Sequence, residues 1–191
     1  EDRIFLMPMM VDSKKFYCDN NVYPKSFTFL YVGRLIKHKN VEALIQQFNI
    51  NFSDKDAVLK IVGGGEQGEY LIDKYASEKV IFKGNKFNKE LIAEYLSASC
   101  FVCPSLFEPW GLVVNEALSA GLPVIANEEV GACFDLIKDK ETGFIAADIE
   151  EFGQMMLTLF NDAELLKRYS RNASDLMKNK WNYDLYNNCL N

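Results

Sequence analysis

The sequence predicts an α/β fold: a single domain in which a parallel sheet is flanked by helices. Three observations predict it. Short apolar runs recur along the chain, segments of helical period lie between them, and Gly, Pro or Asn bound each run. The runs do not alternate with polar residues, as expected for strands covered on both faces. At 191 residues and 49% apolar, the chain is long enough to bury one good core, so one domain over 1–191 is expected.

The first strand is expected over 27–32, followed by Gly33-Arg34. Val41, Leu44, Ile45 and Phe48 then fall at i, i+3, i+4 and i+7, a helix face, with Asn40 in the N-cap position. A second strand over 58–62 runs into Gly63-Gly64-Gly65, and a third over 80–82 into Lys83-Gly84-Asn85. Leu91, Ile92, Tyr95 and Leu96 form another helical stripe after Asn88. The fourth strand, 100–103, opens into a loop from Ser105 to Gly111. A helix over 112–120 follows, ended by Gly121 as C′ residue and then by Pro123, where a fifth strand over 123–126 begins. Asp148 with Glu151, and Asn161 with Glu164, have the spacing of capping boxes opening two more helices. Such alternation implies a doubly wound sheet.

Several function classes fall away. A net charge of −6 argues against a nucleic-acid surface. No apolar run approaches the ~18–20 residues of a membrane span, and no signal peptide is visible. Five cysteines without repeated spacing fit a reducing, cytoplasmic setting. Cys100-Phe101-Val102-Cys103 has the C-x-x-C form, but strand alternation would send its sulfurs to opposite faces, and no second pair or nearby histidine completes a metal site. Asp54-Lys55-Asp56 precedes a strand, at the wrong edge for a metal–diphosphate clamp, and His38 has no triad partner placed by sequence. No metal is therefore expected. Gly63-Gly64-Gly65-Glu66-Gln67-Gly68 matches the dinucleotide fingerprint, yet the next strand ends at Lys83 where an acid should hold the ribose.

In a doubly wound sheet, ligands lie outside the carboxyl ends of the strands. The loops at Gly33-Arg34, Gly63–65, Lys83–Asn85 and 105–111 converge there. Gly111, Leu112 and Val113 supply unpaired amides at a helix start, where the dipole favours an anion. Arg34 and Lys39 add two cations suited to phosphate oxygens. Glu116, about one turn into the helix, is an acceptor suited to the vicinal diol of a ribose, and Glu108 could accept from sugar hydroxyls. Each carboxylate alone could be an ordinary helix-start or loop acid. The two together, with Pro109-Trp110-Gly111 between them, favour a site for a sugar and its diphosphate.

These residues resemble the donor-binding C-terminal domain of retaining GT-B glycosyltransferases, the group 1 family related to sucrose and glycogen synthases. Met9-Met10-Val11-Asp12 to Phe16 is similar to the family's opening strand and turn. Tyr31-Val32-Gly33-Arg34-Leu35 with Lys39-Asn40 is similar to its Gly-Arg-Leu…Lys-Gly element. Glu108 and Glu116 match its paired glutamates, Ala117-Leu118 to Gly121-Leu122-Pro123-Val124 the segment that follows, and Thr142-Gly143-Phe144 a late turn. Asn40 replaces the usual glycine, Val130-Gly131-Ala132 a Gly-Gly pair, and Asp135 stands where a glutamate is common.

The resemblance implies a Rossmann-like domain whose donor is a nucleoside diphosphate sugar, UDP or GDP, with no cofactor. It implies Arg34 and Lys39 on the diphosphate, Glu108 on the donor sugar and Glu116 on the ribose. The backbone of Trp110, Gly111, Leu112 and Val113 would bind sugar and phosphate beside Gly33, and Lys83, Gly84 and Asn85 the base. The chain begins at Glu1 and runs straight into an apolar segment, so a larger polypeptide is expected. An acceptor saccharide would bind a missing N-terminal domain, a terminal helix over 180–191 would cross toward it, and the isolated domain would be inactive. The expected role is hexosyl transfer in bacterial surface polysaccharide synthesis, in the cytoplasm, with peripheral association at the inner membrane face left open. A nucleotide-sugar-binding module without turnover and a sugar-nucleotide epimerase are the competing readings.

Overall fold

The structure is a computed structural model that describes residues 9–17 and 26–183. Six strands, β1 (Phe27–Val32), β2 (Ala57–Val62), β3 (Val80–Gly84), β4 (Cys100–Cys103), β5 (Val124–Asn127) and β6 (Gly143–Ala146), form one sheet in the order β3-β2-β1-β4-β5-β6. Every pairing is parallel. Among the described residues six α-helices flank it: α1 (Val41–Phe52), α2 (Gly68–Tyr75), α3 (Asn88–Leu96), α4 (Leu112–Ser119), α5 (Ile149–Asn161) and α6 (Ala163–Asn179).

Strand alternation divides the core into two layers. Phe29 and Tyr31 of β1, Cys100 and Val102 of β4 and Ile125 of β5 face α1 and α5; Leu30, Phe101, Cys103, Val124 and Ala126 face α4 and the end of α6. The sulfurs of Cys100 and Cys103 thus lie on opposite faces, both buried, as the alternation predicts. On the first face the rings of Phe29, Phe48 and Phe52 pack with centroids 5.1–6.2 Å apart, and Phe27 and Phe160 close the cluster at 5.5 Å. Burying rings of this size supplies ~1.5–3 kcal/mol each by transfer from water.

The five strands of the predicted alternation are present, with ends shifted by a residue or two: β2 starts at Ala57, β3 runs to Gly84, and β5 starts at Val124. Helix α2 and strand β6 were not anticipated. The segment 9–12 is not a strand, and a 3-10 turn, Ser13–Phe16, follows it. α4 ends in a Schellman arrangement: Gly121 has φ 74°, its N–H donates to the Leu118 carbonyl, and the Leu122 N–H donates to that of Ala117. Asp148 caps α5 by accepting from the Glu151 N–H at 2.8 Å, while Glu151 returns a bond to the Ala147 N–H. The expected box at Asn161 is displaced by one residue. Asn161 closes α5, and Asp162 caps α6 through the Leu165 N–H at 2.8 Å. Most of the expected terminal helix, 184–191, lies outside the described residues; Trp181 folds back and is buried against this domain.

Candidate functional site

The strand order reverses between β1 and β4, and the helices that follow these two strands leave on opposite faces, α1 with one core layer and α4 with the other. Such a switch point opens a crevice at the carboxyl edge. The two loops bordering it carry Gly33 to Lys39 and Ser105 to Gly111.

The loop after β1 is fixed from below and beside. The Tyr31 hydroxyl, 1% exposed, donates to the Arg34 carbonyl at 2.9 Å. The Gly33 N–H donates to Val62, the Leu35 N–H to Gly64, and the Leu35 carbonyl accepts from Gln67. This explains the glycine-rich run. Gly63 has φ 136°, and a Cβ there would lie 1.9 Å from the Gly33 carbonyl oxygen; at Gly65 it would lie 2.5 Å from that of Leu35. The glycines let two backbones touch. Arg34, Gly33, Gly63, Gly64, Asn85 and Lys86 line a cavity of about 200 Å³. Lys83 is exposed on β3 and does not line it; Lys86 is the lysine at that wall, because β3 runs on to Gly84.

Across the crevice, Lys39 closes a 3-10 turn (Lys37–Lys39) and its Nζ donates to the Glu108 carboxylate. Lys39 is 9% exposed. Asn40 follows in the left-handed conformation, φ 57°, so it opens α1 by its backbone and not by a side-chain cap. The Leu106 N–H donates to the His38 carbonyl, tying the two loops together at 2.9 Å.

Glu108 is held by its own main chain. It bridges Val130 in parallel, its N–H donating to Glu129 and its carbonyl accepting from Gly131, while the Trp110 carbonyl accepts from Ala132. A Cβ on Gly131 would meet the Pro109 carbonyl at 2.1 Å, which explains a glycine there. Phe107, Glu108, Glu129, Gly131 and Phe134 line a larger cavity, about 500 Å³, toward β6.

Gly111, φ 92°, turns the chain into α4, whose N-terminus has no side-chain cap. Its first amides, those of Leu112 and Val113, belong to the first turn, where N–H groups have no acceptor within the helix. One turn on, the half-buried Glu116 accepts from the Tyr95 hydroxyl at 2.7 Å. Burial raises the Glu116 pKa above its usual value, and the Tyr95 bond offsets part of that. Burial raises the Tyr31 hydroxyl far above its ordinary range; Cys103 and Glu108 push it further and Arg34 opposes them, so all three act on one buried hydroxyl. Cys103 is pushed up to about 11 by burial and Cys133 to about 12, which leaves both thiols protonated at neutral pH.

The structure therefore gathers Gly33, Arg34, Lys39, Glu108, Trp110, Gly111, Leu112, Val113 and Glu116 along one edge, with Gly84 and Asn85 beside them. Sequence reasoning gave Tyr31, Tyr95, Lys86 and Asn115 no part in it. Tyr31 and Tyr95 sit at core-facing positions, where pattern alone reads only packing. Among the described residues, no group of three or more His, Cys, Asp or Glu side chains could hold a metal ion, and no helix is long and apolar enough to cross a membrane.

Comparison with known proteins bears on this edge. A family model described as "Glycosyl transferases group 1" matches residues 13–176. The capsular polysaccharide biosynthesis glycosyltransferase CapM of Staphylococcus aureus is 31% identical over 187 residues, covering 90% of this chain and 48% of that relative. The C-terminal domain of a glycosyl transferase group 1 family protein (LpcC) from Francisella tularensis superimposes with a TM-score of 0.77 at 23% identity, covering 90% of this chain and 98% of that one. HepE of Anabaena, solved in complex with UDP and glucose, superimposes with a TM-score of 0.79 at 17% identity, covering 94% and 53%. At these identities the two structures establish a shared fold. The chain spans 29% to 48% of the length of the first curated relatives it matches.

Proposed function

The chain belongs to the group 1 glycosyl transferases, and we propose that it is the half that binds the donor, a nucleoside diphosphate sugar, for transfer with retention of anomeric configuration. One observation carries the reading: Lys39 and Glu108 meet across the switch point, beside Arg34 and an uncapped helix start. That arrangement sets cations and free amides against a carboxylate, the polarity that a sugar joined to a diphosphate requires.

The chemistry follows from where charge develops. As the bond to the sugar breaks, negative charge builds on the leaving diphosphate. Arg34, Lys39 and the amides of Leu112 and Val113 stabilise it without a metal, an electrostatic contribution that grows along the reaction coordinate. Glu108 orients the donor sugar through its hydroxyls and forms no covalent bond. Glu116 keeps acceptor capacity beyond its Tyr95 bond and takes the ribose diol. Asn85 and Lys86 lie beside Gly33 and Arg34, in position to meet the base, directly after the end of β3 that carries Lys83 and Gly84. HepE was solved with UDP, which supports a uridine donor, with GDP the alternative. CapM acts in capsular polysaccharide biosynthesis, which supports an acceptor of the same kind, a surface saccharide, met by the remainder of the polypeptide in the cytoplasm or at the inner membrane face.

The test is to incubate the full-length protein with UDP- and GDP-sugars and a saccharide acceptor, and to read the product's anomeric configuration by NMR. Retained configuration in a new glycoside is expected. Donor binding without any glycoside product would support a binding module, and a C2 epimer of the donor would support an epimerase.

A further inference from the structure

The chain has two tryptophans, and they stack on one another: the rings of Trp110 and Trp181 lie 6.1 Å apart at 18°. Trp110 is the residue between Pro109 and Gly111, inside the loop that presents Glu108 and leads into α4. Trp181 follows α6 at the other end of the described chain. A third side chain joins them. Asn115 of α4 is fully buried, and both ends of its carboxamide are used. Its Oδ1 accepts from the Trp110 indole N–H at 2.9 Å, and its Nδ2 donates to the Met9 carbonyl at 2.9 Å. The Trp181 indole N–H donates to that same carbonyl at 3.0 Å.

A carboxamide in a layer of Val, Ala and Leu is costly to bury unless its hydrogen bonds are made. A leucine at 115 would suit this layer better on packing grounds alone. The polar residue is explained by what it holds. The Trp110 main chain is fixed from outside by Ala132, and its indole from inside by Asn115 and by the stack. Trp110 is thus held both by its main chain and by its indole.

We propose that Asn115 is a positioning residue: through Trp110 it orders the Glu108 loop, and it makes that order depend on the seating of the segments at Met9 and Trp181. It touches no substrate. The carbonyl of Met9 is the shared anchor, so displacing either terminal segment withdraws one of the supports of the indole pair. The effect on donor binding rests on the proposed function above; the ordering of the loop does not.

The experiment has two arms on the full-length protein. In the first, amide hydrogen exchange is followed in the parent and in Asn115→Leu, Trp110→Phe and Trp181→Ala. Loss of one neutral hydrogen bond is worth roughly a fivefold change. Exchange at the amides that hold this loop, those of Glu108, Gly131 and Ala132, is expected to quicken about that much or more in all three variants, while β1 and β5 keep the parent's protection. In the second arm, UDP and GDP affinities are measured for Asn115→Leu, Trp110→Phe and the double variant. Both single changes are expected to weaken binding, and the double change by less than the two losses together, because both remove the Trp110–Asn115 bond. Unchanged exchange at Glu108, Gly131 and Ala132, or quickening spread equally through the sheet, would overturn the proposal. So would affinity losses that add. If neither nucleotide binds the parent, the donor reading fails, and the first arm decides this proposal alone.

Discussion

Lys39 and Glu108 are joined by an ion pair that links the loops following β1 and β4, with side chains only 11% and 19% exposed. Each charge has its counterpart within the crevice. Removing Lys39 would strand a carboxylate in a partly buried place; removing the Glu108 charge would leave the lysine without its counterion but free to meet an anion.

The two substitutions should therefore act in opposite senses on nucleotide binding. Lys39→Ala is expected to weaken UDP or GDP binding by about 2 kcal/mol, the scale of a hydrogen bond to a charged group. Glu108→Gln is expected to bind the free nucleotide at least as well as the parent while losing sugar transfer. Calorimetry and a transfer assay on the full-length protein check this. Equal losses of affinity in both variants would show that the pair is only structural.

Glu116 gives a pH-dependent expectation. Its pKa lies above the ordinary 4.5 because burial disfavours the charge. The folded protein thus holds that proton more tightly than the unfolded chain does. This contribution to stability is fully present below the unfolded pKa and is lost as pH rises through the raised value. Glu116→Gln keeps an acceptor for Tyr95 and removes the charge. Its Tm should exceed the parent's at about pH 8 and converge with it near pH 4, while nucleotide binding weakens. A Tm difference that persists unchanged at low pH would contradict the burial account.

Gly63 separates a structural glycine run from a phosphate-binding one. A methyl group there would stand 1.9 Å from the Gly33 carbonyl oxygen, at φ 136°. Gly63→Ala should cost on the order of 3 kcal/mol in denaturant unfolding. Parental stability with lost nucleotide binding would instead restore the dinucleotide fingerprint.

Helix α6 offers a plain test of which residue caps it. Asp162→Ala should cost about 1 kcal/mol, and Asn161→Ala little, since only Asp162 accepts from the Leu165 N–H. The reverse ranking in urea melts would favour the box read from sequence.

Much of this was legible beforehand because the signals were local. Buried parallel strands show as apolar runs, and the Gly121-Leu122-Pro123 stop at α4 is written in consecutive residues. What escaped depended on contacts distant in sequence. β6, Gly143–Ala146, begins inside Thr142-Gly143-Phe144, which reads as a turn, and it is a strand through its pairing with β5. The fingerprint at Gly63 to Gly68 was set aside for want of an acid at Lys83, whereas the contact of its glycines with the backbone of Gly33 and Leu35 lies some thirty residues away. At Asn161 and Asp162 two adjacent cap-forming residues compete, and spacing to Glu164 favoured the wrong one. The site residues suggested from loops were gathered at one edge, except Lys83, whose strand runs two residues further than the pattern implied. Tyr95 reads as core because it is core, and Asn115 carries no signal of its own; only their partners, Glu116 and Trp110, connect them to the site.

The most direct measurement is a crystal structure of the full-length protein with UDP or GDP bound. The account predicts the diphosphate between Arg34 and Lys39, within hydrogen-bond reach of the Leu112 and Val113 amides, and the ribose hydroxyls on Glu116. A nucleotide seated elsewhere, in the groove of Lys138, Asn172 and Lys180 for example, would contradict it.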